Sequence, residues 1–422
     1  MNEITLYTAS WLYNPGRPPI AGGAVAVQDG RVLTVGPATE LVMRFGPSRA
    51  DFPDCVIMPG FVNAHTHLEL THFPAWRLRG GMDYHPHRFV DWIVQLVKVR
   101  RGIQPAETLE SLKAGIAACL RAGTTCVGDI VTSPELLAGF AGSPLAGRVY
   151  LELIGQDPAV FESRLHAVLE AAQTVAGPRQ PGLSPHAPYT LASALLPGIA
   201  TASRQHGLPL SVHLAESVDE DRLLFDSTGP LADELYPLVG WKGYLSPPRR
   251  TTPAHFFDEG GLLGPSTLAV HCVHLTPADA QVLKQRGVTI CLCPRSNERL
   301  AVGHAPVQLF KKLEMPLCIG TDSLASNDSL SLWDELRFAL DAYNGVVAPD
   351  ELLQLATSGG AAGLGMSEQV GSLEEGKRAD LQVLPLAGQV HDLGGNLAEL
   401  LLQSGRPLAV LAGGQSVFKQ AR

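Results

Sequence analysis

The sequence predicts an α/β fold: a (β/α)8 TIM-type barrel accompanied by a small β-sandwich domain built from both chain ends. Three observations carry this. Eight short apolar runs recur through the middle of the chain, helical periodicities lie between most of them, and both ends have a strand-and-turn texture. Strands alternating with helices argue for a parallel sheet, and eight units over about 300 residues fit a closed barrel with insertions. A doubly wound open sheet is the alternative, but no glycine-rich phosphate fingerprint follows any early strand. The expected boundaries are 1–57 plus 368–422 for the β domain and 58–367 for the barrel.

The first end carries "GGAVAVQDGRVLTVGP", two strand-like runs about Asp29-Gly30, a hairpin signal. The barrel strands follow as "VIMPGFVNAH", "TTCVGDIV", "RVYLELIG", "PGLSPHA", "LPLSVHLA", "STLAVHCV", "GVTICLC" and "MPLCIGTD". Helical spacing appears in "ETLESLKAGIAACLRAG", "FESRLHAVLEAAQTVAG", "ADAQVLKQRG" and "DSLSLWDELRFALDAY". Two stretches, 68–104 and 227–265, interrupt the alternation with Pro, Gly, Trp and Arg. Each follows a strand, which places it on the C-terminal rim as a lid or substrate wall. The last end, "GSLEEGKRADLQVLPL" and "RPLAVLAGGQSVFK", returns to β texture and is expected to pair with the first.

Composition narrows the function classes. The chain has 422 residues, 45% hydrophobic and 17% charged, with a net charge of −9, which describes a folded protein with a large core. No sustained basic block exists, which argues against nucleic-acid or anionic-membrane partners; "VKVRR" reads as a solvated helix face. No run approaches the roughly 18 apolar residues of a membrane span, and the N-terminus lacks a secretory pattern. Seven scattered cysteines read as reduced, buried thiols of a cytoplasmic protein. Cys291 and Cys293 share a strand face, as a thiolate pair or, with no second pair nearby, as core.

In such a barrel the chemistry gathers at the C-terminal strand ends. Strand 1 ends in His65 and His67, whose i, i+2 spacing puts them on one face. Strand 5 ends in His213, with Glu216 three residues on. Strand 6 carries His271 and His274, and strand 8 ends in Asp322. Five of the fourteen histidines thus lie at one end of three strands. Three imidazoles and a carboxylate suit a divalent transition ion, Zn²⁺ or Fe²⁺, with a position left for water, which such an ion can ionise near neutral pH. The ends of strands 3 and 4 lack the lysine that would bridge two metals, which favours one.

"PGFVNAHTHLEL", "HLAES", "HCVHL" and "GTDSLASNDSL", in this order and spacing, resemble the amidohydrolase superfamily, and the closing "GxxxxGxxADLxV" segment (Gly371 to Val383) extends the resemblance over nearly the whole chain. The similarity is to the mononuclear branch that holds adenosine-type, S-adenosylhomocysteine and methylthioadenosine, aminodeoxyfutalosine and guanine deaminases and the triazine hydrolases. The resemblance implies metal ligands at His65, His67, His213 and Asp322. It also implies that His271 lies beside the attacking water, that Glu216 carries a proton to a ring nitrogen, and that Asp322 accepts the water's proton. His274 is then a supporting residue.

The substrate side is less determined. His186 in "SPHAPY" matches a substrate-contacting histidine, with a cap or core role as the alternative. Trp92 is a lid aromatic for stacking on a heterocycle or a core residue of its helix. Glu69 takes a substrate hydroxyl or a structural hydrogen bond. Many purine-nucleoside relatives place a histidine-asparagine pair where this chain has Leu292 and Cys293. Arg295 or Arg299, just beyond, would face a substrate carboxylate or form surface salt bridges. His72, His85 and His87 read as loop residues. The expected activity is hydrolytic release of ammonia from an amino-substituted heterocycle, foremost a 6-aminopurine nucleoside, 5′-modified ones such as aminodeoxyfutalosine included. Guanine deamination, triazine hydrolysis and a non-catalytic scaffold are the alternatives, and a homodimer is the expected assembly.

Overall fold

The computed structural model describes residues 4–47, 50–82, 86, 88–386 and 397–420. Eight parallel strands follow one another round a ring in chain order: Phe61–Thr66, Thr124–Val131, Ala146–Leu153, Arg179–Pro185, Leu210–Leu214, Thr267–His271, Thr289–Leu292 and Leu317–Ile319. Each overlaps one of the eight predicted runs. The ring closes just beyond the last strand, where the Asp322 N–H donates to the His65 carbonyl at 3.1 Å and Thr66 bridges to Asp322 in parallel. The whole second strand is buried, as expected where helices cover one face of a parallel sheet and packed side chains the other.

One predicted strand is two. In "VIMPGFVNAH" the first residues end the strand Ala50–Pro59 of the other sheet, and the barrel begins at Phe61. Gly60 is the joint: a Cβ there would fall 2.2 Å from Thr125 Oγ1, so the chain crosses between sheets only where no side chain intrudes. The chain ends supply that other, mixed sheet. Leu381–Pro385 pairs antiparallel with Ala50–Pro59, tying the C-terminal strands Ala409–Ala412 and Gln415–Lys419 to the N-terminal ones. The Asp29-Gly30 hairpin joins Gly23–Gln28 to Arg31–Pro37 with φ of 52° and 75°, the two positive values a tight two-residue turn needs.

The barrel's lower interior is packed by Val62, Ala64, Cys126, Tyr150, Val270, Cys291 and Cys318, with Leu364 and Met366 closing it from below. All seven cysteines are buried thiols, and no described helix is long and apolar enough to cross a membrane. Val62 and Ala64 point inward, so an unbroken pleat would send His65 outward. The register of the first strand shifts between Asn63 and Thr66, and this irregularity re-aims the histidines into the mouth. Both interrupting stretches reach the rim: the helix Phe89–Arg100 from the first, and Leu235 to Trp241 from the second, wall the space above the strand ends.

Gly320 sits against the re-aimed segment, where a Cβ would lie 2.8 Å from both the nitrogen and the oxygen of His65. Overpacking of this kind costs about 1–3 kcal/mol. Gly320→Ala is therefore expected to lower the melting temperature and the bound-metal content together. Calorimetry with elemental analysis checks this, and full metal content in a destabilised variant would separate the two.

Candidate metal and catalytic centre

The nitrogens of His65, His67 and His213 lie within 4.8 Å of one another, a cluster able to hold a metal ion. His67 Nε2 and His213 Nε2 are 3.3 Å apart. Asp322 Oδ1 stands 3.6 Å from His65 Nε2 and 3.7 Å from His67 Nε2. The carboxylate distances are long for hydrogen bonds but natural for ligands around a common centre.

Neighbouring groups orient each of them. His213 Nδ1 lies 2.9 Å from the His186 carbonyl, to which it can only donate, so Nε2 is left as a lone pair aimed at the cluster. Asp322 Oδ2 accepts from Ser296 Oγ at 2.7 Å and Ser326 Oγ at 2.6 Å, which turns Oδ1 towards the imidazoles. His65 is fully buried and neither of its ring nitrogens has a hydrogen-bond partner. Orphaned buried polar atoms cost about 1–3 kcal/mol each. Two lone pairs facing each other, an orphaned imidazole and an aimed carboxylate oxygen together fit a divalent cation, which would be the missing partner of all four.

The electrostatics agree with that donor set. Burial, with the neighbouring imidazoles, pushes His67 and His213 well below the ordinary histidine range, so both are neutral ligands at neutral pH. Burial would push Asp322 up, but the surrounding imidazoles, His65 first, hold it well below the usual carboxylate range. Glu216 goes the other way: burial, then the charges of Asp322 and Glu220, raise it far above that range. Two nearby carboxyls driven apart in this manner have the properties needed of a base and an acid.

His271 completes the group. Its Nδ1 is 2.9 Å from Asn297 Oδ1 and its Nε2 3.5 Å from Glu216 Oε1. The amide oxygen can only accept, so the proton sits on Nδ1 and Nε2 faces the mouth unprotonated; burial brings its pKa down to about 4. His186, also lowered to about 4 by burial, packs its ring 4.7 Å from that of His213. Above them lies a cavity of about 290 Å³, with an apolar wall of Trp92, Ile93, Leu96, Val97, Leu235, Val239 and Trp241. The indole of Trp92 is fixed by a 2.9 Å bond to the Ala325 carbonyl.

The metal and acid-base residues read from the sequence, with His186 and Trp92, therefore converge. Three substrate candidates do not line the cavity. Glu69 is fully buried behind its wall, where it holds Arg100 at 2.9 Å and Thr132 Oγ1 at 2.8 Å. Arg295 and Arg299 both pair with Asp328 instead. His274 binds the Val302 carbonyl at 2.8 Å and is structural. His72 is an exposed loop residue before the helix Phe73–Arg79, and His85 and His87 lie outside the described residues. Sequence reasoning missed Ser296, Asn297, Ser326 and Trp241. Ser296 and Asn297 are in the very turn that drew attention to Arg295, but their partners come from other strands.

Residues 56–417 match the amidohydrolase family. The chain is 31% identical over 382 residues to a 5-methylthioadenosine/S-adenosylhomocysteine deaminase of Syntrophobacter fumaroxidans, covering 86% of this chain and 80% of that one. It is also 31% identical over 374 residues to the aminodeoxyfutalosine deaminase of Deinococcus radiodurans, 84% of either chain. Among solved structures, an adenosine deaminase from Xanthomonas campestris with bound zinc superposes with a TM-score of 0.81 at 26% identity, over 98% of this chain and 92% of that one. A match that begins in the end sheet, passes through every strand of the barrel and returns to the end sheet makes this chain a member of the amidohydrolase family.

Proposed function

We propose that the protein is a zinc-dependent hydrolytic deaminase of adenosine-type nucleosides, which exchanges the amino group of a 6-aminopurine for oxygen from water and releases ammonia. The observation that carries this is the convergence of His65, His67, His213 and Asp322 Oδ1 on one point, with Glu216 and His271 facing each other on the same cavity. The similarity to two kinds of nucleoside deaminase supports the substrate class, and the zinc in the Xanthomonas structure supports the metal. His65, His67, His213 and Asp322 would hold the ion. When bound, it supplies Lewis acidity that brings the ionisation of water towards neutral pH.

The chain's own residues do the rest. Asp322, its carboxylate oriented by the two serines, is the base that takes the proton of the attacking water. His271 presents an unprotonated Nε2 beside Glu216 and stabilises the water on its way to the carbon. Glu216 gives its proton to the ring nitrogen adjacent to the amino-bearing carbon. Trp92, Trp241 and their aliphatic neighbours exclude bulk water and pack on the ring and its substituent. In this reading residues 58–367 form the catalytic barrel and 1–57 with 368–422 the small β domain, a division supported by the change of sheet at Gly60.

Ammonia release is to be measured against adenosine, 5′-modified adenosines, guanine and aminotriazines. Turnover confined to the first two groups is expected; turnover of guanine or a triazine alone would overturn the substrate class. Glu216→Gln should retain the metal and lose at least about 100-fold in kcat, since positioned proton transfer is worth about 10²–10⁴. An active Glu216→Gln enzyme would sink the assignment. Metal content should be about one ion per chain and fall to near zero in His213→Ala. Activity lost to a chelator should return with zinc.

A further inference from the structure

Glu152 is a buried carboxyl that none of the preceding chemistry uses. It lies one residue from the end of the third barrel strand, Ala146–Leu153, is 6% exposed, and lines the cavity above the histidines. Other buried carboxyls around the mouth have partners. Glu69 has Arg100 and Thr132, Glu220 takes the N–H groups of Ala215 and Glu216 at 3.1 Å each, and Asp129 takes Thr66 Oγ1 at 2.7 Å. Among the described residues no hydrogen bond reaches the carboxyl of Glu152, which feels only the charges of Arg100 and Arg164 against its burial. An unpartnered acceptor that faces a cavity is open to a donor from whatever fills that cavity.

The corner around it says which donor. Arg100 also lines the cavity, but Glu69 at 2.9 Å already balances its charge. Two carboxyls, Glu69 and Glu152, against the guanidiniums of Arg100 and Arg164 leave no net positive charge in the corner for an anionic substituent. They suit a group that donates to a carboxylate and accepts from the remaining guanidinium N–H, which a hydroxyl does and an adjacent pair of hydroxyls does twice. We propose that Glu152, with Arg100 beside it, is the specificity-determining anchor for the sugar hydroxyls of the substrate. This deepens the nucleoside reading and rests on it: the metal end acts on the base while the Glu152 corner, on the same cavity, holds the ribose.

The test compares kcat/KM for 5′-methylthioadenosine with its 2′-deoxy and 3′-deoxy counterparts, in wild type and Glu152→Gln. The wild type should favour the ribonucleoside by about 10- to 100-fold over at least one deoxy compound, the range of a hydrogen bond to a charged group. In Glu152→Gln this preference should collapse, with the loss on the ribonucleoside falling mainly in KM and the metal content unchanged. A wild type indifferent to both hydroxyls overturns the inference without any variant. So does a metal-loaded Glu152→Gln enzyme with its preference intact. Ammonia from no nucleoside at all would instead overturn the deaminase reading, and this inference with it.

Discussion

Everything at the mouth of this barrel depends on one constraint: five imidazoles and two carboxyls are packed together, most of them buried. An isolated buried charge there would be prohibitive, and a buried imidazole without a partner is costly. The cluster is tolerable because its members alternate in role. His67 and His213 stay neutral, Asp322 keeps its charge because imidazoles surround it, and Glu216 surrenders its charge to burial. A cation at the cluster would satisfy one of the two orphaned ring nitrogens of His65. Stability and chemistry are therefore the same electrostatic problem at this site.

Regular strands cannot deliver those side chains. The first strand breaks its pleat between Asn63 and Thr66. His271 and Asp322 adopt φ of 71° and 58°, a left-handed region that side chains other than glycine seldom occupy. Such positions cost about 1–3 kcal/mol each and persist only where the surroundings over-determine them. Here the surroundings do: the Asp322 N–H is bound to His65, its carboxylate to Ser296 and Ser326, and the ring of His271 to Asn297. Backbone room comes from Gly128, whose Cβ would meet the Ala64 carbonyl at 2.3 Å, and from Gly320 beside His65.

The same constraint decides which features are legible in the sequence. The eight strands are legible because parallel strands buried on both faces write themselves as apolar runs. The metal ligands are legible because a shared strand end collapses a three-dimensional convergence into a positional rule. His65 and His67, paired by their i, i+2 spacing, do come together with His213, although the pleat is irregular there and alternation from Val62 alone would face His65 outward. Glu69 and Arg295 mislead for a common reason. Both are polar residues close in sequence to the site, but each finds a nearer counter-charge, Arg100 and Asp328, which proximity along the chain does not reveal. Ser296, Asn297 and Ser326 carry no spacing signal at all, because each takes its meaning from a partner that only the folded chain brings near.

The cavity itself is asymmetric, and the asymmetry bears on what enters it. Its chemical end is polar and built on the strand ends. Its wall is apolar and comes from the two stretches that interrupt the barrel, Trp92 to Val97 on one and Leu235 to Trp241 on the other. A substrate must therefore be flat and polar where it meets the histidines and tolerant of aliphatic and aromatic packing elsewhere. The same cavity is also lined by Glu152, from the third strand, and Arg100, from the end of the helix Phe89–Arg100. Because Arg100 is held by Glu69 on the first strand's loop and Thr132 at the end of the second, its position is tied to the same strand ends that carry the histidine cluster. The polar corner is thus held in register with the chemical centre, while the apolar wall is free to vary with the insertions that form it.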